Sequence, residues 1–172
     1  VEIMFEVKSY ILIPGKKITN LDLVKNNPFH YFDEITNIDK YNVEDFDSNY
    51  LDGTINLKYY DETLMDFVLW DLVDQVWAYF LNIFQDVVST GYGKSYFPDM
   101  PLLIEIKTIS DTLIMFEIEK HTRYALPKYE FMKDMLEGAE DFFMKLSKFN
   151  KLNYNHEFNQ ISNLKVAIEK FK

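Results

Sequence analysis

Along the 172 residues the apolar positions switch between a two-residue and a 3.6-residue period, and each switch marks a change of element. Val1, Ile3, Phe5, Val7, Ile11 and Ile13 share one face while Glu2, Glu6 and Lys8 point the other way. That alternation predicts a half-buried strand ended by Pro14-Gly15. Ile18, Leu21, Leu23 and Val24 suggest a short element before Pro28. Residues 33–52 lose a clear period and interleave carboxylates with Tyr41, Phe46 and Tyr50, which predicts at least one exposed edge strand. Asp52-Gly53 is a two-residue hairpin signal that would pair residues 49–51 with 54–60, where Ile55, Leu57 and Tyr59 share a face.

The longest apolar-periodic run covers 63–89 and holds both tryptophans. Thr63 with Asp66 resembles a capping box, and Gly91 lies where a left-handed helix cap favours glycine. At about 1.5 Å per residue such a helix would be roughly 40 Å long. Turning each residue by about 100° gathers Asp71, Asp74, Gln75, Ala78, Asn82, Gln85, Asp86 and Ser89 into one polar stripe. The remaining circumference is apolar. Leu69, Val73, Val76, Phe80, Ile83 and Val87 form a central face, and Trp70, Trp77, Leu81, Phe84 and Val88 form a flank. A helix this broadly apolar requires cover from more than one neighbour.

Residues 91–101 then read as a loop. After it, 102–109 and 112–119 alternate around Ser110-Asp111, and 122–126 returns as a third strand of an antiparallel meander. Pro127 suits a helix start, and 128–149 places Phe131, Met135, Ala139, Phe142, Leu146 and Phe149 on one stripe. Gly138 in its middle costs about 1 kcal/mol relative to Ala and, with Ala139, points to a close crossing with another element. A polar linker, 150–156, leads to a final amphipathic helix. The expected fold is α+β. A single antiparallel sheet of about five to seven strands carries the helices 63–89 and 128–149 on one face, the second covering the tryptophan flank of the first. Residues 1–149 would form one domain, and 150–172 a linker and helix that is either docked or mobile.

Charge divides the chain unevenly. The net charge is −10, but residues 145–172 carry six Lys against Glu157 and Glu169, a net +4, which leaves −14 on residues 1–144. Such a body repels phosphate backbones, so nucleic acid is not an expected partner, whereas a basic protein would be attracted and steered. With 48% hydrophobic residues and 5 Gly and 5 Pro, the chain is expected to fold rather than stay disordered. There is no cysteine, which excludes thiolate nucleophiles, disulfides and Cys-bound zinc. The long run is interrupted by Asp66, Asp71, Asp74 and Asp86 and does not fit a membrane span. No signal-peptide pattern opens the chain, although it begins at Val1 rather than Met. A cytoplasmic location is the expectation.

Three motif fragments fail on physical grounds. Gly91-Tyr92-Gly93-Lys94-Ser95 holds the Gly-Lys-Ser of a P-loop, but the first glycine of that motif falls at Val88 and the motif follows a helix instead of opening one. Asp45-x-Asp47-x-Asn49 begins like a calcium loop, but Tyr50 stands at the turn glycine and Asn56 at the terminal glutamate. His30, His121 and His156 have no metal-ligand spacing. Sequence therefore assigns no catalytic residue, metal or cofactor. Asp71 and Asp74, the best carboxylate pair, read as a solvated stripe.

Binding surfaces remain. Tyr92, Tyr96, Phe97 and Asp99 lie in a Gly- and Pro-bounded loop, and exposed aromatics anchor interfaces. Equally, Tyr96 and Phe97 can tuck over the end of the sheet. Asp33, Glu34, Glu44, Asp45 and Asp47 form a second candidate, an electrostatic face for a basic partner. The run Tyr96-Phe97-Pro98-Asp99-Met100-Pro101 after a Trp-bearing helix, with Gly138-Ala139-Glu140-Asp141-Phe142-Phe143 downstream, resembles small acidic α+β bacterial proteins of unknown function. Some of these resemble immunity proteins of polymorphic and contact-dependent toxin systems. The resemblance covers roughly 54–149 and transfers no active-site residue. With the −14 body, the aromatic loop and the missing catalytic motifs, the expectation is a non-enzymatic binding module, an immunity-type inhibitor that masks a basic toxin or enzyme. Two alternatives stand beside it: a homo-oligomer joined through the tryptophan flank or final helix, and an enzyme whose carboxylate/histidine site assembles in space.

Overall fold

The computed structural model describes residues 2–172, among which nine strands form two antiparallel sheets rather than the expected single one. The first sheet contains β1 (Phe5–Leu12), β2 (Phe32–Glu34), β3 (Asp52–Tyr59) and β4 (Glu62–Met65) in the order β2-β1-β3-β4, with β5 (Asp71–Leu72) also paired to β3. The second is β6 (Tyr92–Tyr96), β7 (Leu103–Thr108), β8 (Leu113–Ile118) and β9 (Thr122–Pro127) in sequence order. Helices α1 (Leu21–Asn26), α2 (Val73–Thr90), α3 (Lys128–Asn150) and α4 (Asn155–Ala167) complete the chain.

β1 follows its alternation. Phe5, Ser9 and Ile11 are buried on the helix-facing side, although the strand starts later than the pattern suggests and Ile3 is exposed. Val1, placed on the same face, lies outside the described residues. An edge strand does form at the start of the acidic stretch, but it is β2, Phe32–Glu34, buried or half-buried instead of exposed, and it pairs with β1 through Leu12 and Phe32. Beyond it, 3-10 turns carry residues 35–45.

The Asp52-Gly53 hairpin does not form. Both residues open β3, whose partner is β1, with Ile11 opposite Gly53. Glycine is required there by crowding, because a Cβ would lie 2.1 Å from the Tyr10 carbonyl oxygen and 2.7 Å from Val73 Cγ1. The hairpin lies eight residues on, at Tyr60-Asp61, where Tyr60 adopts a φ of 51° and Tyr59 pairs with Glu62. The same region corrects the long helix. Residues 63–72 supply β4, a 3-10 turn over Phe67–Leu69 and β5, and α2 begins only at Val73. Asp66 is a cap, but of the 3-10 turn, accepting from Val68 N at 3.0 Å. Local periodicity fitted a helix, yet β3 leaves an open hydrogen-bonding edge that residues 62–65 and 71–72 satisfy as strands, and tertiary pairing overrides a propensity difference of tenths of a kcal/mol per residue. The helix is thus about 27 Å long, from its 18 residues at about 1.5 Å each. It ends as its sequence predicts, with Gly91 at φ 84° and its N–H bonded to Val87 O at 2.8 Å.

α2 runs through the middle of one continuous core that reaches both sheets. Phe80 packs toward Phe116 of β8, and Phe84 toward Phe131 of α3, which also meets Phe5 of β1. Trp77 is fully buried, and its Nε1–H donates to Ser9 Oγ at 2.9 Å, so its one polar atom is satisfied. The close crossing at Gly138 is real. A Cβ there would come within 2.6 Å of Val7 and 3.2 Å of Trp77. Trp70, by contrast, is not on the helix at all; it joins Phe67, Tyr10 and Phe32 in a second, smaller cluster.

α4 lies against α3 and α2. Lys165 Nζ bridges Glu140 at 2.8 Å, and Gln160 Nε2 donates to Asn82 and Gln85 at 2.9 Å each. The part of α2's polar stripe that sequence leaves to solvent is therefore where the last helix lands. Farther along, Lys128 Nζ sits 3.9 Å from the Phe171 ring centroid, fastening the C-terminal turn over the start of α3.

Candidate functional site

Where β3, β5 and the connection from β6 to β7 meet, a cleft of about 410 Å³ opens to the surface. Ile18 and Leu21 form one wall, Val68 and Trp70 a second, and Met100 and Pro101 a third. Three carboxylates, Asp52, Asp71 and Asp99, line it as well, each delivered by a different segment.

Asp71 fixes the geometry. It is only 3% exposed, and its carboxylate accepts from Leu72 N at 2.7 Å, from Asp99 N at 3.1 Å and from Met100 N at 3.0 Å. A buried carboxylate is tolerable when several N–H groups satisfy it, and each such charge-assisted bond is stronger than a neutral one. Its expected place on a solvated helical stripe is wrong, because the helix starts two residues later and Asp71 sits in β5 opposite Gly53. Its role is to clamp the loop that carries Asp99 onto the first sheet. Asp74, its supposed partner on the stripe, is half-buried rather than fully solvated. Burial raises its carboxyl, partly offset by backbone hydrogen bonds, and Glu157 adds to the rise.

Asp52 collects the electrostatic consequence. Burial raises its carboxyl above the ordinary 3.8, and the charges of Asp99, Asp71, Asp47 and Asp74 raise it further. Among the described residues none of these five aspartates takes part in an ion pair within 4 Å. The neutral polar residues of the lining are Thr19 and Asn20, and Asn20 already caps α1 by accepting from Asp22 N at 2.8 Å. No histidine lines the cleft; His30 contacts Lys16 at 3.3 Å, and His121 and His156 are exposed elsewhere. Among the described residues no group of three or more His, Cys, Asp or Glu is placed to hold a metal ion.

The nine residues singled out from sequence divide accordingly. Asp99 and Asp47 are exposed and close enough to Asp52 to raise it, so the two candidate surfaces converge on one rim although 52 positions separate them. Tyr96 is 60% exposed, three residues before Asp99 in the chain. Tyr92 and Tyr96 do not belong to a loop, however: 92–96 is β6, an edge strand, and the Tyr92 hydroxyl is engaged by Glu105 across the ladder. Phe97 is 3% exposed and belongs to the core, so it anchors the loop and not a partner. Asp45 is exposed and caps its own 3-10 turn, accepting from Asn42 N at 3.2 Å, and Glu44 is exposed beside it.

Asp33 and Glu34 lie elsewhere, along a surface shared with Lys8 and Lys40. Burial would raise the Asp33 carboxyl, but hydrogen bonds from Asn37 and Tyr41, each 2.8 Å, together with Lys40 at 3.6 Å, outweigh it and hold it below the ordinary value. The reciprocal effect appears at Tyr41, which burial and then its bond to Asp33 push up to about 12.

Sequence reading missed Trp70, Asp52 and Asp71 as site residues. Two signals pointed to the aspartates: Asp71-Leu72 stands just ahead of the first uninterrupted helical turn, and Asp52 precedes the glycine on which β1 closes; nothing local marked Trp70. No family model matches this chain, and neither a curated protein nor a solved structure matches it. The described residues also contain no helix long and apolar enough to cross a membrane.

Proposed function

We propose that this protein is a non-enzymatic binding module that grips a basic protein on the rim formed by Asp47, Asp52 and Asp99, with Tyr50 and Tyr96 as flanking aromatic contacts. An immunity-type inhibitor, which masks a basic toxin or enzyme, is the form of this activity that the acidic body suits. The observation that supports it most is that Asp99, Asp71, Asp47 and Asp74 all act on Asp52 and that, among the described residues, none of the five is in an ion pair within 4 Å. Uncompensated charge beside an apolar surface costs stability, and a cationic partner would relieve that cost on docking. Tyr50 and Tyr96, 62% and 60% exposed, have the residue type and exposure that interfaces use for rigid contact area.

The direct test is calorimetry of the full chain against basic proteins encoded beside its gene and against proteins that copurify with it from its native host. Expected is a stoichiometric complex whose affinity falls steeply with salt and falls roughly tenfold or more in Asp52→Asn/Asp99→Asn, the loss of one or two charge-assisted contacts. Absence of any such complex, together with turnover of a small substrate, would overturn the reading.

A further inference from the structure

The acidic rim surrounds a cleft whose surface is mostly apolar, and the two features together narrow what can enter it. A small metal cation would find no closed set of ligands, since Asp71 is already occupied by three backbone N–H groups and no metal-binding group is formed among the described residues. A purely apolar side chain would bury Asp52 and Asp99 without compensation, which is costly. An anion would be repelled. What fits is a side chain with an apolar stem and a cationic, multidentate head.

We infer that the cleft is the receptor for one arginine side chain of the basic partner, its stem against Ile18, Leu21 and Met100 and its guanidinium between Asp52 and Asp99 beside Trp70. This rests on the binding-module reading above and assigns its central contact. Arginine suits the cleft better than lysine for three reasons. Its planar fork offers five donors and can serve two carboxylates delivered by separate segments. It is less strongly hydrated than an ammonium and so enters an apolar cleft at lower cost. It also stacks on aromatic faces, and Trp70, which is part-exposed, lines the cleft. The volume of about 410 Å³ falls in the range of sites that enclose a ligand, about 300–1,000 Å³, leaving room for the backbone on either side of the arginine. Asp71 acts as a positioning residue, since by holding Asp99 N and Met100 N it sets the third wall.

The two tryptophans provide the readout. Trp77 is buried and bonded to Ser9, a reference that binding at the cleft should not move, whereas Trp70 should respond. The full chain, labelled with ¹⁵N, is titrated with the blocked peptide acetyl-Gly-Arg-Gly-amide, with its lysine counterpart and with its neutral norleucine counterpart. Expected are saturable shifts of the Trp70 indole and of the Asp52, Asp99 and Met100 amides, strongest with arginine and absent with norleucine. Trp77 should stay fixed. Asp52→Asn/Asp99→Asn should weaken the arginine peptide roughly tenfold or more, while Asp33→Asn leaves it unchanged. Both substitutions are at part-exposed or exposed positions, so loss of the fold is not expected, and the Trp77 signal verifies it in each variant. Equal binding of norleucine, shifts spread evenly over all surface carboxylates, or no saturable shift at the solubility limit would each overturn the assignment. The two proposals fail separately. A basic partner that binds with the expected loss in Asp52→Asn/Asp99→Asn, while the arginine peptide produces no saturable shift at Trp70, leaves the binding module standing and removes the arginine receptor. A peptide that seats in the cleft when no basic protein binds does the reverse.

Discussion

Two acidic regions of this protein have similar composition and opposite physics. Around Asp33, each carboxylate has an answer: Asn37, Tyr41 and Lys40 for Asp33, and Lys8 near Glu34. Around Asp52 the charges that act most on its carboxyl are those of four more aspartates. The first region is internally settled and its carboxyl is held low; the second is left in electrostatic debt to itself and its carboxyl is raised. The difference teaches that acidic residue count does not locate a binding surface. By sequence, Asp33 and Asp47 belong to one acidic face, whereas the charge that an incoming cation would improve lies in the second region.

The comparison can be broken most forcefully at Asp71. Replacing it with Ala leaves three backbone N–H groups without their acceptor, and we expect a loss of about 3 kcal/mol in urea denaturation, at the upper end for point substitutions. A loss below about 1 kcal/mol would mean that the loop is not clamped as described. Asp33→Ala, which removes two side-chain hydrogen bonds and a partly solvated ion pair, should cost about 1 kcal/mol in the same experiment.

Asp52→Asn should have the opposite sign, stabilising the free protein by a few tenths of a kcal/mol because it removes repulsion from a half-buried site. Its pH dependence follows from the raised carboxyl. The folded state holds the Asp52 proton more tightly than the unfolded state, so its stabilising contribution is complete below 3.8 and disappears as pH rises through the raised value. The advantage of Asp52→Asn over the wild type should therefore grow with pH across that window. Asp33 runs the other way. Its folded carboxyl is lowered, so its contribution is present above 3.8 and disappears as pH falls through the lowered value. Asp33→Asn should thus lose its penalty in acid. Finding the same sign of pH dependence for both variants would erase the distinction between the regions. The smallest effect is expected at Asp45→Ala, which removes one exposed cap of a three-residue turn and should change stability by less than about 0.5 kcal/mol.

Much of the architecture was legible in the chain. The meander of β7 to β9, the α3 helix after Pro127, the left-handed cap at Gly91 and the close approach at Gly138 each rest on a local signal that nothing distant contradicts. The site was legible only in part. Asp99 and Asp47 stood out by composition, and their convergence did not, because it depends on β5 pairing with β3.

Sequence alone determined which stretches alternate, which turn helically and where glycine must cap, since those follow from side-chain period and backbone sterics within one element. Only the tertiary structure decided what residues 62–72 become. Their apolar spacing suits a helix, but β3 offers unpaired backbone groups, and satisfying those is worth more than the local preference. The fate of Asp71 was decided the same way. Whether a carboxylate is solvated or buried depends on donors that reach it, and those of Asp71 come from Asp99 and Met100, 28 and 29 residues downstream. No period within its own element could have announced them.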